Sequence, residues 1–361
     1  MSRVGEGFTL KGMLRIPSFP PGFKPLRRCA GFWGGLTLVG VCGCGGGAVQ
    51  TGSAAATPTA VQAGPQLGYA WKAADETLRP ILGVPGSSQM GASVVAATTY
   101  VTAASSSAAG IALLIGADQK VYSMSLPNGP PALVGGAGVT AGAGAKIRFS
   151  PSGVTAVIYV PGGLTASVLT GLAANSASGP QVRQVAVTGP LMDMATSDAG
   201  TVVAVLQGAS GGSLNFLPAG GGQQQLATLK GVGGLAFVGI GDNLLAADSV
   251  ANTLTLVQAV STSPSVSQLP TANLLKAPVA VGAALSGKWA VVANGGEASV
   301  VQVDLTGVAA PQRIACPSQP AVVERLAGNG VFRFNEIGAA PTWIADMTAP
   351  SPAMLFIPAS Q

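Results

Sequence analysis

Short apolar runs separated by turn-forming residues make up the chain after residue 66. In the stretch ANGGEASVVQVDLTG, residues 293–307, a glycine pair precedes a run in which Val301 and Val303 alternate with Gln302 and Asp304. Alternation with a period of two is typical of a β-strand, and no segment of the body keeps the longer period of an amphipathic helix. The pattern therefore predicts an all-β domain of short strands and tight turns.

A turn glycine followed by a β-run recurs six times along the body. Successive glycines are 43, 47, 41, 46 and 43 residues apart, and they are Gly110, Gly153, Gly200, Gly241, Gly287 and Gly330. Glycine suits such a turn because it adopts positive φ without steric cost. A regular spacing of this length predicts a repeat architecture in which each period is one structural unit.

Each period has room for four short strands. In the period around Gly153 these are KIRFS, TAVIYV, TASVLTG and QVRQVAV, which is the content of one β-propeller blade. Six full periods leave residues 67–92 over. The prediction is a seven-bladed propeller of four-stranded antiparallel blades, in which C-terminal strands complete a partial first blade. Six blades with an extra hairpin are the alternative.

The repeats resemble a known propeller type. ADSVANTLTLV, residues 247–257, aligns with ANGGEASVVQV at an offset of 46, so that Asp248 falls on Asn294. This pattern resembles the YVTN or surface-layer repeat, and FSPSG at 149–153 resembles a turn common in such blades. The resemblance covers roughly residues 67–361 and is shared with lactonase-like propellers. It implies the fold and leaves open an enzyme that uses acidic and histidine residues in the central channel.

The N-terminal segment indicates export. A basic, proline-rich stretch precedes the uncharged run CAGFWGGLTLVGVCGC, residues 29–44, which is shorter than the roughly 20 residues of a membrane-spanning helix. Its end, VCGC, resembles a bacterial lipobox with Cys44 as the lipid attachment residue. Residues 1–44 are then an export signal, and the uncharged residues 45–66 form a flexible tether. A plain secretory signal or an uncleaved anchor is the alternative.

Charge argues against a nucleic-acid partner. The formal net charge is +5, but six of the 18 basic residues lie in the first 28 positions with only one acid, Glu6. The remaining body has twelve bases and twelve acids with no block of one sign. A protein that neutralises nucleic-acid phosphates needs a basic face, so the sequence predicts no nucleic-acid partner. It predicts contact with a membrane only through the lipid anchor.

The body offers little catalytic chemistry. The chain contains no histidine, so serine–histidine and cysteine–histidine pairs are excluded. Asp198, Asp242 and Asp248 lie in or beside turns and are interpreted as residues that bond local backbone. Cys316 is the lone cysteine of the body and is interpreted as a buried, inert thiol. The sequence predicts no catalytic, metal-binding or cofactor-binding residue.

Three functions are compatible with these patterns. The favoured one is a non-catalytic binding scaffold at the cell envelope, lipid-anchored on its periplasmic or surface side or else secreted, which presents propeller loops to a protein or glycan partner. The second is a secreted lactonase-like hydrolase that uses channel carboxylates. The third is a surface-layer protein that assembles with itself. Three or more carboxylates meeting at the channel axis would favour the hydrolase.

Overall fold

A computed structural model of the protein describes residues 64–95, 99–135, 139–174 and 179–359. These residues belong to one compact unit and form 27 β-strands in seven antiparallel sheets arranged as a seven-bladed propeller. No helix in this part of the chain is long and apolar enough to cross a membrane. The predicted all-β fold and the number of seven blades are confirmed.

The first three blades use the N-terminal part of the described chain. Blade 1 has three strands, β1 (Gln66–Lys72), β2 (Thr77–Val84) and β3 (Ser87–Met90). Blade 2 has four, β4 (Tyr100–Ser106), β5 (Ile111–Gly116), β6 (Val121–Ser125) and β7 (Ala132–Leu133). Blade 3 has β8 (Lys146–Phe149), β9 (Thr155–Tyr159), β10 (Thr165–Thr170) and β11 (Gln181–Ala186).

The other four blades repeat the four-stranded pattern. Blade 4 consists of β12 (Leu191–Thr196), β13 (Val202–Gly208), β14 (Gly211–Leu217) and β15 (Gln224–Leu229). Blade 5 consists of β16 (Val232–Val238), β17 (Asn243–Asp248), β18 (Thr253–Gln258) and β19 (Ser265–Gln268). Blade 6 consists of β20 (Pro278–Ala283), β21 (Trp289–Asn294), β22 (Ser299–Asp304) and β23 (Gln312–Ala315). Blade 7 consists of β24 (Glu324–Arg325), β25 (Val331–Arg333), β26 (Thr342–Asp346) and β27 (Leu355–Ile357).

The first strand of each of blades 2–7 is the inner strand, and the inner strands of neighbouring blades contact one another around the axis. We call the face that carries the turns between first and second strands the lower face. The opposite face, which carries the turns between second and third strands and the connections between blades, is the upper face. All six anchor glycines lie in lower-face turns between first and second strands.

Positive φ occurs at four of these anchors, Gly110, Gly153, Gly200 and Gly287. In blades 5 and 7 it falls two residues before the anchor, at Gly239 and Gly328. The predicted reason for glycine therefore holds for every one of the six turns, but the exact position differs in two of them.

The predicted completion of blade 1 by C-terminal strands is wrong for the described residues. Residues 324–357 supply all four strands of blade 7, and β1–β3 pair only with one another. The Leu67 carbonyl accepts a hydrogen bond from Ala327 N in the lower-face turn of blade 7. β1 therefore begins at the lower face and runs in the opposite direction to the inner strands, which end there. The strands β1, β2 and β3 thus correspond to the second, third and fourth strands of the other blades.

Packing between blades closes the ring. Seven clusters of buried apolar side chains lie between neighbouring blades, one for each pair, including blades 7 and 1. In β21, Ala290 and Val292 pack towards blade 5, whereas Val291 and Ala293 pack towards blade 7. Strands buried on both faces explain the near-continuous apolar runs of the sequence, and each fully buried valine contributes roughly 1.5–3 kcal/mol to the free energy of unfolding.

Candidate functional site

Polar side chains of the inner strands gather in the central channel. Asp193 of β12 is buried, and its Oδ1 accepts a hydrogen bond from the Tyr159 hydroxyl at 2.6 Å. Arg148 of β8 places Nη2 at 3.8 Å from the same oxygen, and its side chain is 41% exposed. A buried carboxylate is thus held between a hydroxyl and a guanidinium that still faces solvent.

A second acid–base pair approaches the same space from blade 7. Arg333 is buried and donates from Nε to Glu324 Oε2 at 2.8 Å, and its Nη2 donates to the same oxygen. Arg333 also donates to the Asn335 carbonyl, and Nη1 lies 3.5 Å from Glu336 Oε2. Arg148 feels the charge of Glu324 as well as that of Asp193, although blades 3 and 7 are not neighbours. The two pairs therefore belong to one central cluster, which consists of Arg148, Tyr159, Asp193, Glu324 and Arg333.

The lower end of the channel is bridged by one side chain. Arg325, next to Glu324 on β24, donates from Nη2 to the Pro151 carbonyl and from Nη1 to the Gly328 carbonyl at 3.2 Å. Pro151 belongs to the lower-face turn of blade 3, so Arg325 reaches from blade 7 across the axis. Burial lowers the pKa of the Arg325 guanidinium, an effect that the Asp198 charge partly offsets.

Electrostatics fixes the protonation states of the cluster. The Asp193 carboxylate raises the pKa of Arg148 above its ordinary value and so stabilises the cation. Burial, and then the charge of Asp193, raise the pKa of the Tyr159 hydroxyl. Tyr159 therefore remains a neutral donor and Arg148 a cation at every physiological pH. Neither group is prepared to act as a general base.

Carboxylates and arginines are matched in the channel. Two inner-strand acids, Asp193 and Glu324, face the cluster, and each is matched by an arginine. Within the described ranges, no group of three or more metal-ligating side chains comes close enough together to hold a metal ion. The histidine that the lactonase-like resemblance implies is missing from the sequence.

The three turn aspartates all bond backbone, but only one does so locally. Asp248 accepts from Val250 N and Ala251 N in its own turn and also from Lys230 N and Gly231 N of the preceding connection. Asp242 accepts from Ser261 N of another turn in its blade.

Asp198 accepts from Ser152 N of the neighbouring blade. The local interpretation is therefore wrong for Asp198 and Asp242, because tertiary packing brings other backbone amides closer than those of their own turns.

Exposed aliphatic side chains occur on both faces. Ile240 and Val308, the most exposed of them, lie in lower-face turns, whereas others form a series on the upper face. Five of them belong to five successive blades, 2 to 6, at the start of an inner strand or in the turn between second and third strands; they are Val101, Leu164, Met192, Val250 and Val279. Three of these side chains are exposed at register shifts. The inner strands of blades 2, 4 and 6 have β-bulges at Val101, Met192 and Val279. A bulge re-aims the side chain of the extra residue.

A cleft of about 800 Å³ lies between blades 7 and 1. Its lining has no charged side chain and combines backbone around Gly83 and Ser87 with the apolar side chains of Leu82, Leu355 and Phe356. Gly64, where the described chain begins, is also part of its wall. The cleft lies away from the central cluster and contains no titratable group.

The predicted lipid attachment residue, Cys44, lies outside the described residues, as do the whole predicted export signal and the tether up to residue 63. The predicted boundary of the propeller at residue 67 is close to the start of β1 at Gln66. Cys316 is buried, and burial raises the pKa of its thiol to about 11, as expected of an inert cysteine.

The central cluster was missed by sequence reasoning because its members are far apart in the chain. Asp193 and Glu324 were recognised only as acids of the body, and Arg148, Tyr159, Arg325 and Arg333 were not singled out. One signal was present. Charged residues are only 9% of the chain, so a charge inside an apolar inner-strand run such as KIRF or LMDMAT is unusual and indicates a position on the channel.

No protein-family model matches the chain, and no curated protein sequence matches it. Solved structures with the same fold do exist. A functionally unknown protein from Desulfotomaculum acetoxidans is 10% identical with a TM-score of 0.57, covering 82% of this chain and 100% of its own. AztD from Citrobacter koseri is 14% identical with a TM-score of 0.56, covering 82% of each chain.

A virginiamycin B lyase from Staphylococcus aureus is 11% identical with a TM-score of 0.50, covering 70% of this chain and 82% of its own. At such identities the likeness shows the fold alone. These similarities therefore support a propeller and leave the function to be argued from the residues.

Proposed function

We propose that this protein is an exported, lipid-anchored β-propeller of the cell envelope that binds a protein partner through its upper face without catalysing a reaction. The observation that carries the proposal is the series of exposed aliphatic residues on five successive blades of that face. Their exposed fractions run from 36% at Met192 to 63% at Val250. Apolar side chains held at one face of a rigid scaffold favour a protein partner.

Charge supports the same proposal. The channel acids are already paired with arginines. An acid of the upper face also has partners, because Glu297 accepts from Ser299 Oγ at 2.7 Å and lies 3.3 Å from Arg313 Nε. A surface with few free charges and several exposed aliphatic groups favours an apolar contact. Aliphatic side chains also suit a protein better than a glycan, which would be bound by aromatic stacking and free polar groups.

Site-specific photo-crosslinking in intact cells tests the proposal. A photoreactive amino acid replaces Leu164 or Val279 on the upper face, or Val308, which is 89% exposed in a lower-face turn of blade 6, as the matched control. We expect one partner protein to be captured from positions 164 and 279 and at least ten-fold less from position 308. Equal capture from all three positions contradicts the proposal.

The nature of the captured species separates the alternatives. Capture of further copies of this chain only would favour a self-assembling surface layer. Capture of glycan only would remove the protein partner from the proposal. A protein captured from position 164 should also be lost when Met192→Ser and Val279→Ser are combined, whereas Val308→Ser should leave its capture unchanged.

A further inference from the structure

The three arginines of the channel differ in how fully their donors are used. Arg333 is 6% exposed and bonds Glu324 and the Asn335 carbonyl. Arg325 bonds two carbonyls. Arg148, by contrast, interacts with the Tyr159 hydroxyl, makes its closest described ion pair at 3.8 Å, to Asp193, and keeps 41% of its side chain exposed. A guanidinium has five N–H donors in a fixed fork, so Arg148 retains donor capacity towards the channel.

A ligand can reach Arg148 only from the upper end of the channel. Arg325 bridges the lower end of the channel between blades 7 and 3. Among the described residues, no comparable hydrogen bond crosses the axis at the upper end. Lys146, two positions before Arg148 on the same strand, is exposed and begins β8 at the upper face. A small anion would therefore enter from above and pass one cation before it reaches the second.

The surroundings of Arg148 select the charge and shape of the anion. Asp193 lies 3.8 Å from Arg148, and the charge of Glu324 also acts on Arg148. These negative groups would repel a dianion such as phosphate more than a singly charged group. A planar carboxylate matches the guanidinium fork with two parallel hydrogen bonds. The inner strands of blades 2, 5 and 6 are rich in small residues, as in YVTAASS, VGGLAFV and PVAVGA, and a channel bordered by small residues suits a short apolar tail.

From this geometry we infer that the part of the channel above Arg325 is a binding site for a monocarboxylate with a short apolar tail, held by Arg148. The site is distinct from the upper-face partner surface and does not depend on it. The carboxylate belongs either to a free small molecule or to the C-terminus of a short peptide, since both present the same group to the guanidinium.

Calorimetric titration of the full-length protein in detergent tests the inference. Butyrate should bind saturably with a Kd on the order of 1 mM, the range for a ligand of about six heavy atoms, and isosteric butyramide should not. Arg148→Gln should weaken butyrate binding at least ten-fold, and Arg148→Lys less. Arg183→Gln, on the outer strand of the same blade, is the matched control and should bind as the wild type does.

Acetyl-Ala-Ala with a free or an amidated C-terminus distinguishes the two sources. Binding of the free acid at least ten-fold tighter than butyrate favours a peptide terminus, and equal or weaker binding favours a small molecule; either result supports the site. Equal binding of butyramide, tighter binding of phosphate, unchanged binding by Arg148→Gln, or no saturable binding up to about 50 mM overturns it. Should Arg148→Gln fail to fold, Arg148→Lys and the butyramide comparison still decide.

Discussion

Single polar side chains stabilise the turns that hold each blade to the next. Asp248 is buried at the end of β17, and its carboxylate accepts four backbone hydrogen bonds of 2.6–3.1 Å. Asn294, 46 residues later, occupies the same place and accepts from Lys276 N at 2.9 Å. The aligned pair therefore has a shared structural role, which is to fix the connection that enters the inner strand.

Replacing Asp248 by alanine should lower the free energy of unfolding by about 3 kcal/mol, because buried amides would lose their acceptor. Urea denaturation followed by fluorescence measures the effect. The control is Asp118→Ala, whose exposed carboxylate accepts from Lys120 N and the Tyr122 hydroxyl. We expect a much smaller loss there, because water can replace the hydrogen bonds of an exposed carboxylate. Equal losses in the two variants would show that the Asp248 network contributes nothing special.

The opening and closing carboxylates of the hairpin at residues 293–307 have separate structural tasks. Glu297 accepts from Asn294 Nδ2 and Ser299 Oγ within its own turn. Asp304 accepts from Thr306 N, Val308 N and Ala309 N. These hydrogen bonds lower the pKa of Asp304, led by the one from Ala309 N, so they contribute to stability when Asp304 is ionised and are weakened as pH falls through its folded-state pKa.

At the scale of the element, the lower-face turns show why glycine recurs. Gly153 has φ of +81°, and a Cβ placed there would fall on the Ser106 hydroxyl and 2.5 Å from Ser106 Cβ. Glycine is required twice at this position, once for its backbone conformation and once for the close approach of blade 2. Gly162, in the upper-face turn of blade 3, has φ of +82° but nothing within 4 Å of a Cβ.

This pair of glycines separates the two causes. Gly162→Ala should cost about 1–2 kcal/mol, the cost of left-handed backbone for a residue with a side chain. Gly153→Ala should cost about 3–5 kcal/mol, since overpacking against a neighbouring blade adds to the same backbone term. Thermal unfolding monitored by circular dichroism compares the two variants. A cost at Gly153 no larger than that at Gly162 would mean that blades 2 and 3 separate without penalty.

At the scale of the whole molecule, the seven clusters between blades make the ring depend on every neighbour. Blade 7 meets blade 1 through Leu67, Ile81, Leu326 and Ile344, among others. The ring is therefore closed by apolar packing, and blades 1 and 7 share no strand among the described residues. A rigid ring of this kind can hold the upper-face side chains in fixed relative positions, which the proposed binding of a partner requires.

The predicted anchor also concerns the whole molecule, because it decides where the ring is located. We expect cells fed labelled palmitate to incorporate the label into the wild-type protein and not into Cys44→Ser. Cys42→Ser is the matched control and should be labelled as the wild type is, since Cys44 is the residue that follows the small Gly43. Labelling of the Cys44→Ser variant at the wild-type level would refute the assignment and favour a plain secretory signal.

The sequence by itself determined the repeat and, from it, most of the fold. Alternating runs fixed the strands, and the spacing of six turn glycines fixed the blades, because both depend on local backbone geometry that each residue carries with it. The equivalence of Asp248 and Asn294 was visible for the same reason. What lay beyond the sequence was the way in which the ring closes, since that depends on the packing of residues more than 200 positions apart.

Only the tertiary structure decided which polar residues meet. Arg148 and Glu324 lie on blades 3 and 7, and Arg325 reaches Pro151 across the axis. The two channel acids do not share one position in the repeat, because Asp193 lies seven residues before Gly200 and Glu324 lies six residues before Gly330. The repeat therefore predicted the scaffold. The charged side chains of the channel do not follow the repeat, and they come into contact only because the blades surround a common axis.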